Sequence, residues 1–103
     1  MKSIMLVCAA GMSTSLLVTK MQKAAEARGL ETDIFAISAS EFEDTLEKKD
    51  IGVVLLGPQV KFKQKQLEAK LAGTNIPLDS INMQHYGMMN GEKVLEAALE
   101  LMN

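Results

Sequence analysis

Residues Ile51-Gly52-Val53-Val54-Leu55-Leu56 form an apolar run with no polar residue in alternation. A strand of that composition is covered on both faces, as in a parallel sheet with helices above and below it. Lys2 to Val7 reads as an earlier buried strand, a short apolar run ending at a loop. Between and after these runs the apolar residues recur at helical spacing, so strands and helices alternate along the chain. Leu17, Met21, Ala24 and Ala25 mark a helix from about Ser13 to Arg28, closed by Gly29. Thr32 to Ile37 is β-branched and apolar and reads as a second strand. Ser38-Ala39-Ser40-Glu41 starts a short acidic helix, with Phe42 and Leu46 facing inward, that ends near Lys49.

Gly57-Pro58-Gln59 breaks the 51–56 strand at its carboxyl end. Val60, Gln64, Leu67 and Leu71 then mark a third helix, closed by Gly73. Ile76 to Ile81 is a fourth strand, and Pro77 near its start assigns it to an edge. Asn82 to Asn90 reads as a polar, methionine-rich loop. From Gly91, Val94, Leu95, Ala98, Leu99 and Met102 form one stripe on a final helix. This alternation predicts an α/β fold: an open four-stranded parallel sheet, order 2-1-3-4, with helices on both faces. In such sheets ligands sit beyond the carboxyl ends of the strands, near the reversal of winding. Strand 1 borders that reversal, so Cys8 and Gly57-Pro58-Gln59 are expected to face one another there.

The chain has 103 residues, which fits one domain spanning 1–103 and allows a core without staples. Aromatic residues are few and tryptophan is absent, so Leu, Ile, Val, Ala and eight methionines must fill that core. A net charge of −2 makes no electrostatic case for nucleic acid. One cysteine excludes an internal disulfide, and with one histidine it leaves no zinc-type cluster. No apolar run approaches the ~18 residues needed to span a bilayer, and Met1-Lys2-Ser3 does not open a signal peptide, so a cytoplasmic protein is expected.

The chemistry converges on that cysteine. Cys8 ends the first strand, and Ala9, Ala10, Gly11, Met12, Ser13, Thr14 and Ser15 lead into the first helix. The first N–H groups of a helix lack partners within it and carry its positive dipole end, so they can hold an anion. A cysteine beside them has its thiolate favoured. Small residues at 9–11 keep side chains clear, and the hydroxyls of Ser13, Thr14 and Ser15 can cap the helix or donate. The bland alternative is a buried cysteine acting as a small hydrophobe.

The run Cys8-Ala9-Ala10-Gly11-Met12-Ser13-Thr14-Ser15-Leu16-Leu17 resembles the cysteine loop of the IIB component of the phosphoenolpyruvate-dependent sugar phosphotransferase system, in its lactose, cellobiose and chitobiose family. Val53-Val54-Leu55-Leu56-Gly57-Pro58-Gln59 and the pair Tyr86-Gly87 are secondary landmarks of the same resemblance. The resemblance implies a phosphocarrier without a cofactor. Its cysteine, here Cys8, would accept a phosphoryl group from phosphohistidine on a IIA phosphocarrier protein. It would pass the group to a sugar held by the membrane IIC permease. A monomer is the default state for a carrier that shows one loop to two partners.

The fold also resembles low-molecular-weight tyrosine phosphatase, which carries Cys-x5-Arg and a separate aspartic acid. Here Thr14 stands at the arginine position, and Asp79 lacks the Asp-Pro context of that family. Without an arginine clamp, hydrolysis should be slow, and replacing Thr14 by arginine is expected to speed it. His85 is the single histidine and raises a Cys–His hydrolase, against an exposed loop histidine. A binding module without chemistry is a further reading. Tyr86 is either a neighbour of the loop or of IIA, or a packing residue. Lys61, Lys63, Lys65 and Lys70 are either a solvated face or a patch for an acidic partner. Met12, Met83, Met88 and Met89 are either an adaptable rim or core filling.

Overall fold

The computed structural model describes residues 2–8 and 12–102. Its centre is β1, Ser3–Cys8, all six residues of which are buried. β1 pairs in parallel with β2, Ile34–Ser38, on one side and with β3, Ile51–Leu56, on the other. β4, Leu78–Ser80, adds to the far side of β3, giving the order β2-β1-β3-β4. The expected topology is therefore the observed one.

Side chains alternate across a strand, so a strand buried on both faces feeds two cores. Ile4, Leu6, Val53 and Leu55 point to one face. There they meet Leu17, Met21 and Ala25 of α1, Met12–Ala27, and Val94, Leu95 and Ala98 of α5, Gly91–Met102. Met5, Val7, Val54 and Leu56 point to the other face. They are covered by Phe42 of α2, Phe42–Lys48, and by Leu67 of α3, Gln64–Lys70. One face thus holds the first and last helices and the other holds the middle two, as right-handed crossovers require of this strand order.

Gly29 ends α1 where the sequence places it. Its φ of 70° is the left-handed conformation that closes a helix, and the next amide, Leu30 N–H, donates back to the carbonyl of Ala25.

Four segments differ from expectation. The third helix does not run unbroken from Val60. Pro58–Lys63 is a 3-10 segment with a kink at Val60 (φ −118°, ψ 17°), and only then does α3 begin. Val60 is buried directly after β3, and the tighter turn lets it reach the core before the chain straightens. A 3-10 turn, Ala39–Glu41, similarly precedes α2.

The fourth strand is shorter than Ile76–Ile81, but its ends still follow β3. Pro77 C=O accepts from Val54 N–H at 3.0 Å, and Ile81 N–H donates to Leu56 C=O at 2.9 Å. Residues 82–90 are not simply a loop. They contain α4, Met83–Gly87, started by Asn82, whose side-chain oxygen accepts from the amides of Gln84 and His85. Tyr86 packs from α4 into the core beneath α1. Among the described residues no helix is long and apolar enough to cross a membrane.

Candidate active site

β1 ends at Cys8, level with Ser38 at the end of β2. The Cys8 residue is only 3% exposed, and its thiol donates weakly to Ile37 C=O at 3.6 Å. Cys8 nevertheless lines a cleft of about 330 Å³, together with Ser38, Ala39, Ser40, Val60, Phe62 and Lys63. The walls are the two 3-10 segments that leave β2 and β3, so the cleft stands at the carboxyl ends of three adjacent strands. Gly57 N–H donates to Val7 C=O at 2.8 Å, which fixes the exit of β3 one residue from the cysteine. Pro58 and Gln59 then open the 3-10 segment. Gly57 and Pro58 thus lie at the expected edge, but Val60, Phe62 and Lys63 line the cleft in their place; the side chain of Gln59 lies outside the described residues.

α1 begins at Met12 and runs away from the same edge. Its first turn holds no acidic residue, so nothing of that charge competes for the amides of Met12, Ser13 and Thr14. Ala9, Ala10 and Gly11, and the side chains of Met12 and Ser13, lie outside the described residues. Thr14 is buried at 1% exposure, and its hydroxyl pairs with Tyr86 Oη at 3.3 Å. Ser15 is exposed, and its carbonyl accepts from Thr19 Oγ1 at 3.1 Å. Among the described residues no group of three or more His, Cys, Asp or Glu could hold a metal ion.

A cysteine that ends the central strand, lines a cleft and precedes the first helix in sequence can be set beside known proteins. The sequence matches the family model for "PTS system, Lactose/Cellobiose specific IIB subunit" over residues 3–97. The chain belongs to this family. It is 51% identical to the "PTS system galactose-specific EIIB component" of Lactococcus lactis subsp. cremoris, covering 99% of this chain and 97% of the relative. It is also 51% identical, with the same coverage, to the "PTS system cellobiose-specific EIIB component" of Lactococcus lactis subsp. lactis. A solution structure of the cellobiose-specific phosphotransferase IIB component protein from Borrelia burgdorferi superposes with a TM-score of 0.80. That protein is 41% identical, and the match covers 99% of this chain and 92% of that one.

Several sequence expectations are altered by this IIB-family structure. The one arginine in the chain, Arg28, is at the opposite end of α1, facing Glu92 and Glu96 at 3.7 and 3.4 Å. Thr14 is buried and turns its side chain toward Tyr86, so the position of the phosphatase arginine faces the interior here. Asp79 accepts from Ser80 N–H and lines a separate cavity of about 40 Å³ with His85. That space suits a water rather than a substrate. Neither Asp79 nor His85 lines the cleft at Cys8, so the phosphatase acid and the Cys–His pair are not assembled.

Tyr86 packs in the core, and its hydroxyl meets Thr14 in the first turn of α1. Lys70 leaves the basic patch, since it pairs with Glu43. Met83 and Met88 are exposed, whereas Met89 packs against the core at a positive φ of 52°. Ser38, Ser40 and Phe62 were not singled out from sequence as site residues. The available signal was positional: Ser38 and Ser40 follow the strand paired with β1, and Phe62 follows the exit of β3.

Proposed function

We propose that this IIB-family protein is a phosphocarrier whose Cys8 is loaded by phosphohistidine on a IIA protein and unloaded to a disaccharide held by a membrane IIC permease. The reading places the protein at the cytoplasmic face, as a monomer folded as one domain. The observation that carries it is that Cys8, the last residue of β1, lines an open cleft and precedes the start of α1 by four positions.

In loading, the Cys8 thiol passes its proton, directly or through solvent, to the free ring nitrogen of the phosphohistidine, and the sulfur attacks phosphorus in line. The sulfur–phosphorus bond forms as the nitrogen–phosphorus bond breaks, and the histidine leaves as neutral imidazole. In unloading, a sugar hydroxyl attacks the same phosphorus, the sulfur leaves as thiolate, and the hydroxyl proton passes to solvent. Such transfers need positioning and stabilisation of charge on the phosphoryl oxygens more than acid–base machinery. The amides of Met12 to Thr14, with the expected cradle at Ala9, Ala10 and Gly11, would supply preorganised donors. A thiolate is both nucleophile and leaving group, which suits a carrier. The distance of Arg28 and Asp79 from the cleft supports a phosphocysteine that resists water.

The test is incubation with phosphoenolpyruvate and the general and IIA phosphocarriers, followed by mass spectrometry under conditions that preserve phosphocysteine. One phosphoryl group on Cys8, absent from Cys8→Ser, is expected. Modification of another residue, or of none, overturns the reading.

A further inference from the structure

The large apolar side chains exposed among the described residues are Leu16, Phe62, Met83 and Met88. All four sit on segments that leave the carboxyl ends of strands: α1 after β1, the 3-10 segment after β3, and α4 and its exit after β4. Phe62 is the most exposed, at 80%, and it forms part of the rim of the cleft at Cys8. The local backbone explains its position. In a three-residue turn Val60 and Lys63 share a face; Val60 is buried, so Phe62 is turned outward.

Three lysines flank Phe62 closely in sequence. Lys61 and Lys65 are exposed, and Lys63 Nζ lies 5.9 Å from the centroid of Phe62. Among the described residues none of the three has a carboxylate partner, unlike Lys70, which pairs with Glu43, and Lys49, which pairs with Asp33. A chain of net charge −2 therefore leaves an unneutralised basic collar around an exposed aromatic beside its cysteine.

We propose that Phe62, with Lys61, Lys63 and Lys65, is the docking patch for the phosphorylated IIA donor, an inference that rests on the phosphocarrier reading above. Charge complementarity selects the donor over the acceptor. The donor arrives carrying the phosphoryl dianion on its histidine, whereas the sugar presented by the acceptor is neutral. A basic collar raises the encounter rate with the first, and the sugar offers no charge of its own for it to recognise. Phe62 supplies the apolar anchor that an exposed aromatic provides at the centre of an interface.

The test measures the second-order rate constant for loading Cys8 from phosphorylated IIA. Lys61→Glu with Lys65→Glu should lower it about tenfold and flatten its dependence on salt. Lys61→Arg with Lys65→Arg should retain it. Phe62→Ala should lower it at least tenfold at high salt as well as low, because its contribution is apolar. These residues are on the surface, and matching circular dichroism and melting curves establish that the variants are folded. If wild-type protein takes no phosphoryl group from IIA, the phosphocarrier reading and this inference fall together. If wild-type protein loads and the variants load equally fast, the docking patch alone is wrong. Loading that is intact while transfer to sugar on IIC vesicles is lost assigns the face to the acceptor and overturns the proposal. A dimer that Phe62→Ala converts to monomer, without slower loading, assigns it to self-association and does the same.

Discussion

The hydroxyl of Tyr86 lies 3.3 Å from Oγ1 of Thr14, joining α4 to the first turn of α1 across 72 residues of sequence. The contact is buried, and it ties the segment before the last helix to the helix that begins beside Cys8. The start of α1 is therefore held from below by a side chain remote in sequence. A helix N-terminus that is to receive charge without reorganising needs such a support.

Removing the hydroxyl tests that support. Tyr86→Phe is expected to cost about 1 kcal/mol, the usual worth of a buried hydrogen bond. Thr14→Val should cost a similar amount, and the double variant less than the sum. Urea unfolding of the four proteins gives the coupling energy, expected at about 0.5 kcal/mol or more. Strict additivity would mean that the two hydroxyls are near one another without interacting.

Asn82 sets α4 one step earlier. Its side-chain oxygen accepts from Gln84 N–H at 2.9 Å and His85 N–H at 3.1 Å. Asn82→Ala should destabilise the protein by about 1 kcal/mol, and Asn82→Asp or Asn82→Ser by less, since each keeps a capping oxygen. Amide exchange at Gln84 to Tyr86 should quicken in the alanine variant before the sheet is affected. Unchanged protection there would show that core packing of Tyr86, not the cap, starts the helix.

The order of the sheet was readable because the central strands declare themselves. Residues 51–56 do not alternate, and only a strand with two covered faces tolerates that. Helix closure at Gly29 was readable because the required backbone geometry favours one residue type. α4 was not, since five residues complete little more than one turn and show no periodicity. Its cap, Asn82, was visible but read as loop polarity. The burial of Thr14 was hidden for a different reason: its partner is set by tertiary packing, which no local pattern encodes. Phe62 escaped because periodicity finds the residues that face inward, and a docking residue is one that does not.

Gly91 offers a sharp packing test. A Cβ there would stand 2.5 Å from the carbonyl carbon of Lys20 and 2.6 Å from the amide nitrogen of Met21, both backbone atoms. α5 reaches its place against α1 only because that position is bare. Gly91→Ala is expected to cost about 1–3 kcal/mol through forced separation of the helices, despite alanine's better helix propensity. Gly29→Ala meets no neighbour and carries only the strain of φ 70°. It should cost about 1 kcal/mol. A smaller loss at residue 91 than at residue 29 would show that α5 shifts freely over α1.

Loading Cys8 should itself change stability, and the sign follows from the start of α1. The helix is 16 residues long and has no acidic side chain in its first turn, so its positive end is uncompensated from within. A phosphoryl group on Cys8 would bring a charge of about −1.5 to −2 there. Charge placed at a helix N-terminus is stabilised by roughly 0.3–1 kcal/mol when exposed and up to about 2 when partly buried. Burial of the cysteine opposes the gain, but the cleft of about 330 Å³ leaves the new oxygens open to solvent, which keeps that opposition small. The phosphorylated protein is therefore expected to melt several degrees higher, at about 4–8 °C for each kcal/mol in a domain of this size. The gain should shrink in high salt, because ions screen the helix end. Calorimetry of the two forms at low and high salt checks both statements. A phosphorylated form that melts at or below the temperature of the free thiol would show that α1 does not receive the charge.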